Sequence, residues 1–94
     1  MQGVTVWLPP ALRGRAGNRK STTVEAGTVR EVIEALEQAY PGLDFNIRFE
    51  TGELRRYVNI FLDGENVRYL QELDTPVPPG ATVHILHSVA GGQI

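Results

Sequence analysis

The chain contains no cysteine. That absence excludes disulfides, thiolate metal sites and a cysteine nucleophile, and it accords with a reducing compartment. No apolar run approaches the ~20 residues that a membrane-spanning helix needs. The opening Met1-Gln2-Gly3-Val4 lacks the basic-then-apolar order of a signal peptide. No membrane association is therefore expected, and the expected location is cytoplasmic. Histidine is confined to His84 and His87, and lysine to Lys20. Neither charge is in strong excess: the formal net charge of −2 gives nucleic acid or an anionic membrane no general attraction. Internal repeats, low-complexity segments and linkers are also lacking.

What is present suits a folded domain. Apolar residues at 41% and charged residues at 21% keep the sequence clear of disorder. A length of 94 residues allows one domain with a modest core. Val4-Thr5-Val6-Trp7-Leu8 is β-branched and aromatic, with Val4, Val6 and Leu8 on one face and Thr5 and Trp7 on the other. It predicts a first strand, which Pro9-Pro10 ends because neither can donate to a ladder. Residues 11–20 carry four of the nine cationic side chains among two glycines and an asparagine. They predict an exposed hairpin loop, without the spacing of a phosphate-binding loop. Ser21 to Glu25 predicts the second strand.

Thr28 with Glu31 three residues on has the form of a capping box. Val29, Val32, Ile33, Leu36 and Tyr40 then follow as one apolar stripe until Pro41-Gly42. This predicts an amphipathic helix that needs a sheet to cover. Leu43 to Glu50 alternates, and fits either a short extended crossover or a turn of helix followed by a strand. Tyr57 to Leu62 predicts a strand, Asp63-Gly64 a type I′ turn, and Glu65 to Tyr69 a short return. A helical turn is expected near Leu70 to Leu73, a proline-stiffened loop over residues 74–80, and a last strand over Thr82 to His87. A right-handed crossover from the second strand would return the chain beside the first. This order predicts an α+β fold: a mixed sheet of four to five strands with one main helix across a face. It resembles the β-grasp, or ubiquitin-like, fold, with residues 1–88 as the domain and 89–94 as a flexible tail.

The residues offer no catalytic constellation. His84 and His87 point to opposite faces of a strand, so they cannot readily share a metal or a proton. The three aspartates and eight glutamates are scattered without a nucleophile to serve. Ser88 follows His87, yet neighbours on a strand point apart and no carboxylate is placed to orient that histidine. An enzyme is not expected, nor a bound metal or cofactor. The remaining chemistry is in Val89-Ala90-Gly91-Gly92, where two glycines make a thin thread that a narrow active site could admit.

That tail, at the end of this order of strands, resembles the sulfur carriers of the ThiS/MoaD family. It is most similar to the CysO-like carriers of cysteine biosynthesis, which share Val-Ala-Gly-Gly. The likeness extends over Val4-Thr5-Val6, Leu12-Arg13, the run from Arg56 to Asp63, Glu65-Asn66-Val67-Arg68 and the run from Gly80 to Leu86. It implies a carrier whose Gly92 carboxylate is adenylated, at the expense of ATP, by an E1-like enzyme of the MoeB/ThiF type. A sulfur donor then converts the adenylate to a thiocarboxylate, which a sulfur-accepting biosynthetic enzyme uses. Val89, Ala90 and Gly91 would be the recognised tail.

The chain departs from the family pattern by continuing with Gln93-Ile94, so that Gly92 has no free carboxylate. The resemblance implies removal of these two residues by a JAMM-type zinc protease cutting between Gly92 and Gln93. Leu86, with Phe61 or Val58, is expected either to form an exposed apolar patch that partners grip or to lie under a loop. Two other functions stay open: a ubiquitin-like modifier that forms isopeptide bonds through Gly92, and a β-grasp binding module whose tail is incidental. Lys20 as sole lysine argues weakly against polymeric modifier chains.

Overall fold

The computed structural model describes residues 3–43, 47–48, 51–56 and 58–87, excepting the side chains of Arg15 and His87. Among the described residues two α-helices and five strands follow in the order β1 (Val4–Trp7), α1 (Pro10–Arg13), β2 (Ser21–Val24), α2 (Val29–Ala39), β3 (Val58–Leu62), β4 (Glu65–Asn66) and β5 (Thr82–His87). The strands form one mixed sheet ordered β2-β1-β5-β3-β4. Only the central pair, β1 with β5, is parallel; the other neighbours are antiparallel. This is the expected β-grasp. The strand beside β1 is the last one, β5, and not β3, where the crossover from β2 arrives. The connection from Ala39 to Val58 is long enough to carry the chain past that position, and β5 fills the gap.

Helix α2 forms where its signals predict. The Thr28 hydroxyl accepts the Glu31 amide at 3.2 Å, and the Glu31 carboxylate accepts the Gly27 amide at 2.7 Å. The return bond of the box thus takes its proton one residue further back than the usual donor, the N-cap amide. Val29, Val32, Ile33 and Leu36 are buried, in one cluster with Val4, Val6, Ile60, Val83 and Ile85. Each such side chain contributes about 2 kcal/mol on burial. The helix ends as Glu37 accepts the amide of Gly42, which holds φ at 97°, and the Tyr40 hydroxyl lies 3.4 Å from Thr22 Oγ1 on β2.

Two expectations are corrected. Residues 11–20 are not simply an exposed loop. Pro10 at the first turn pre-sets helical φ for α1, a 3₁₀ turn follows over Gly14–Ala16, and Leu12 and Ala16 are both buried. Gly17 and Asn18, at φ of 66° and 64°, turn the chain into β2. The predicted return over Glu65 to Tyr69 keeps only two strand residues. Asn66 Oδ1 accepts the Arg68 amide at 2.9 Å, starting a 3₁₀ turn that drops Val67 into the core. The Asp63-Gly64 turn between β3 and β4 has positive φ at both residues, 48° and 92°, as type I′ requires.

Of the alternating segment, Leu43 and Ile47 are buried; Asp44, Phe45, Asn46, Phe49 and Glu50 lie outside the described residues. A further 3₁₀ turn, Glu72–Asp74, stands where a helical turn was expected. The proline loop after it is tied to the start of α2 by the Val77 amide on the Gly27 carbonyl, 2.9 Å. No helix among the described residues is long and apolar enough to cross a membrane.

Candidate functional site

Val89, Ala90, Gly91, Gly92 and Gln93, the residues singled out for tail chemistry, lie outside the described residues. What the fold fixes is the place from which they leave. The last register pair of β5 is His87 with Val58, the first residue of β3. On the other side β5 runs parallel to β1, with Trp7 opposite His84. The tail therefore leaves at the end of the sheet where β1 stops, β2 begins and β3 begins.

Alternation decides which side chains surround that exit. Val83 and Ile85 face the core, and His84 and Leu86 face outward. Since register partners share a face, Trp7, His84 and Phe61 form a row across β1, β5 and β3 on the outer surface. The Trp7 and His84 rings stack, with centroids 6.1 Å apart and planes 9° from parallel. Trp7 is 40% exposed and Leu86 48%, and Phe61 is half-buried. Large apolar groups left in water on one face, close to the exit, form a surface suited to burial against another molecule.

Val58 does not belong to that surface. It is fully buried, because it is in phase with Ile60 and Leu62 on the core side of β3. Leu86 and Phe61 lie on the same face, and no loop among the described residues covers Leu86. Sequence reasoning left out Trp7 and His84. Their outward phase was readable in each strand, but their contact depends on the parallel pairing of β1 with β5. Asn59 stands opposite Leu86 on the same face; its Oδ1 accepts from Arg68 Nε and from Asn66 Nδ2, both at 3.3 Å.

Arg68 was also missed. Its Nη2 donates to the carbonyls of Arg55 and Val58, each at 2.7 Å, and lies 3.5 Å from that of Arg56. One planar guanidinium thus gathers the start of β3, the strand that borders the exit. A cavity elsewhere is lined by Arg30, Leu54, Arg68, Gln71, Glu72 and Asp74, and the exposed Arg30–Asp74 ion pair, 3.0 Å, lies on it. It holds carboxylates but no nucleophile beside a base. No group of three or more His, Asp or Glu that could hold a metal occurs among the described residues.

Comparison with known proteins follows the same outline. The ThiS family model matches residues 6–92, ending at the second glycine. The sulfur carrier protein CysO of Mycobacterium tuberculosis is 38% identical over 91 residues, 95% of this chain and 98% of that protein. Among solved structures, a chain of the Amycolatopsis orientalis BexX/CysO complex matches with a TM-score of 0.88 and 36% identity, covering 95% of this chain and 99% of that one. The small archaeal modifier protein SAMP1 of Methanosarcina acetivorans matches with a TM-score of 0.84 and 31% identity, covering 98% of each.

Proposed function

The chain belongs to the ThiS family, and from that membership we propose that it is a sulfur carrier whose working group is the Gly92 carboxylate. The observation that carries this reading is a full-length likeness to a sulfur carrier within a family match that stops at Gly92. Hydrolysis of the Gly92–Gln93 peptide bond, by a JAMM-type zinc protease, adds water and frees the carboxylate. A carboxylate is a poor acyl donor. An E1-like enzyme therefore lets its oxygen attack the α-phosphorus of ATP, with pyrophosphate leaving, to give an acyl-adenylate. A sulfide donor then attacks the carbonyl carbon, AMP leaves, and a thiocarboxylate remains. Glycine leaves that carbonyl open on both sides. The five residues from His87 to Gly92 reach roughly 17 Å when extended, enough to thread a recessed site while the folded body stays outside. The sulfur is then built into cysteine or a related metabolite by an accepting enzyme.

The test uses a version ending at Gly92, an E1-like enzyme, ATP and sulfide, followed by intact mass. An exchange of one oxygen for sulfur at the C-terminus is expected; an unchanged mass would reject the carrier reading.

The outer row supplies the docking surface in this scheme. Leu86→Glu places a charge beside that row, on its exit side, without touching the core. Its stability is expected to stay within about 0.5 kcal/mol of the parent. The kcat/KM for adenylation should fall about 30-fold, the loss of an apolar anchor worth about 2 kcal/mol. Equal kcat/KM for the two proteins would remove the row from the docking surface.

Likeness to an archaeal modifier favours a second reading, in which Gly92 is transferred to lysine amines. The two share the adenylate and part afterwards. Supplying the accepting proteins in place of sulfide separates them, because only a modifier leaves Gly92 bonded to another chain. A binding module with an incidental tail predicts that truncation after Ala90 changes nothing.

A further inference from the structure

No acidic residue precedes Glu25, whereas Arg13, Arg15, Arg19 and Lys20 all do. The register puts the connection that carries them at one end of the sheet. The Leu8 amide bonds the Lys20 carbonyl at 2.9 Å, and Trp7 pairs with Ser21. This is the end from which the tail leaves. On the other flank of β5, Arg55 and Arg56 lie three and two residues before Val58, the first residue of β3, which pairs with His87. At the opposite end of the sheet stand Glu25 after β2 and Asp63 and Glu65 around the β3–β4 turn, all exposed. The last turn of α2, with Glu37, also reaches the tail-exit end, where Tyr40 meets Thr22, and the Glu37 carboxylate is engaged by the Gly42 amide. Among the described residues the cations outnumber it there, so a chain with net charge −2 is polarised along its strands, positive where the tail emerges.

From this polarity we infer that the tail-exit end is a basic docking collar, and that its partner is a protein with an acidic rim around the opening that receives the tail. The inference rests on the carrier reading and adds the chemistry of the partner. Ser88 to Ile94 contain no charged side chain, so the thread itself has nothing with which to orient in a field. Strands lie about 4.8 Å apart, so Lys20 and Arg56 flank the exit within about 10 Å, comparable with the Debye length near 0.1 M salt. Charges so placed turn the carrier tail-first toward an acidic opening and raise the fraction of productive encounters. The net charge alone would give the opposite expectation, mild repulsion from such a partner. The apolar row then supplies the close contact after the collar has set the approach.

Reversing the polarity at constant net charge tests this. Arg19→Glu with Lys20→Glu lowers the charge by four, and Glu25→Lys with Glu65→Lys restores it; all four side chains are exposed. Both proteins are made ending at Gly92, and association with the E1-like enzyme is followed by stopped flow. Near 0.01 M ionic strength the reversed protein should associate roughly tenfold more slowly than the parent, and the gap should close as salt rises. Arg56→Glu alone should slow association in the same direction, and serves if the fourfold variant melts early. Equal association rates for parent and variants, with the parent adenylated normally, would overturn the collar and leave the carrier reading intact. A parent that is never adenylated would overturn both.

Discussion

Incubated with an E1-like enzyme, ATP and magnesium, the 94-residue chain is expected to release no pyrophosphate, while the chain ending at Gly92 is turned over. In the longer form the Gly92 carbonyl is an amide, whose oxygen lacks the charge needed to attack the α-phosphorus. The only carboxylate on that thread is two residues further on, at Ile94, roughly 7 Å beyond the reacting position when extended. It also bears a β-branched side chain where the slot expects glycine. Misplacement of a reacting group by about 1 Å can already cost about 10²-fold, so the difference should be all-or-none within detection. Pyrophosphate release and intact mass report it directly. Treatment of the longer form with a JAMM-type protease should restore turnover, and chelation of the protease's zinc beforehand should prevent the restoration. Equal pyrophosphate release from both forms would sink the idea that Gln93-Ile94 acts as a removable cap.

The expectation of such a switch comes from the sequence alone, because tail chemistry depends on residue order and hardly at all on packing. The same holds for α2, whose capping box and apolar stripe are local signals, and for the Asp63-Gly64 turn, which only a few residue pairs tolerate. Where composition and packing disagreed, the sequence misled. The cations and glycines of residues 11–20 suggested a loop, yet Leu12 and Ala16, one helical turn apart, are enough to pull a short helix onto the core. Val58 was expected, as an alternative to Phe61, beside Leu86, but strand phase puts it on the other side of the sheet. The row Trp7–His84–Phe61 depends on which strands are neighbours. Non-local pairing of that kind is what periodicity within one segment cannot report. The same pairing turns an unremarkable net charge into a polarised one, by folding the acid-free first quarter of the chain and the Arg55-Arg56 pair onto one end.

Arg68 shows how a residue with no sequence signal can govern the geometry of the exit, and replacing it by methionine should cost about 3 kcal/mol. The guanidinium forks between the carbonyls of Arg55 and Val58 at 2.7 Å and reaches Asn59 Oδ1 at 3.3 Å. Hydrogen bonds from a charged donor are worth about 1.5–3 kcal/mol each, and their loss leaves part-buried acceptors unsatisfied. For a domain of this size the melting temperature should fall by roughly 12–24 °C. Arg68→Lys should recover only part of the loss: one ammonium can replace Nη2, which alone donates to both carbonyls, but lysine has no counterpart of the Nε that donates to Asn59 Oδ1. Arg30→Ala provides the contrast. Its ion pair with Asp74 has the same kind of donor at 3.0 Å, but the two side chains are 42% and 76% exposed, and its removal should cost no more than about 0.5 kcal/mol. Because Val58 is paired with His87, loss of the fork should also speed hydrogen exchange in the first residues of β3 and the last of β5, ahead of the central β1–β5 pair. Melting of Arg68→Met within about 2 °C of the parent would show that the start of β3 is held by its ladder alone. The strand bordering the tail would then need no anchor from the β4 side.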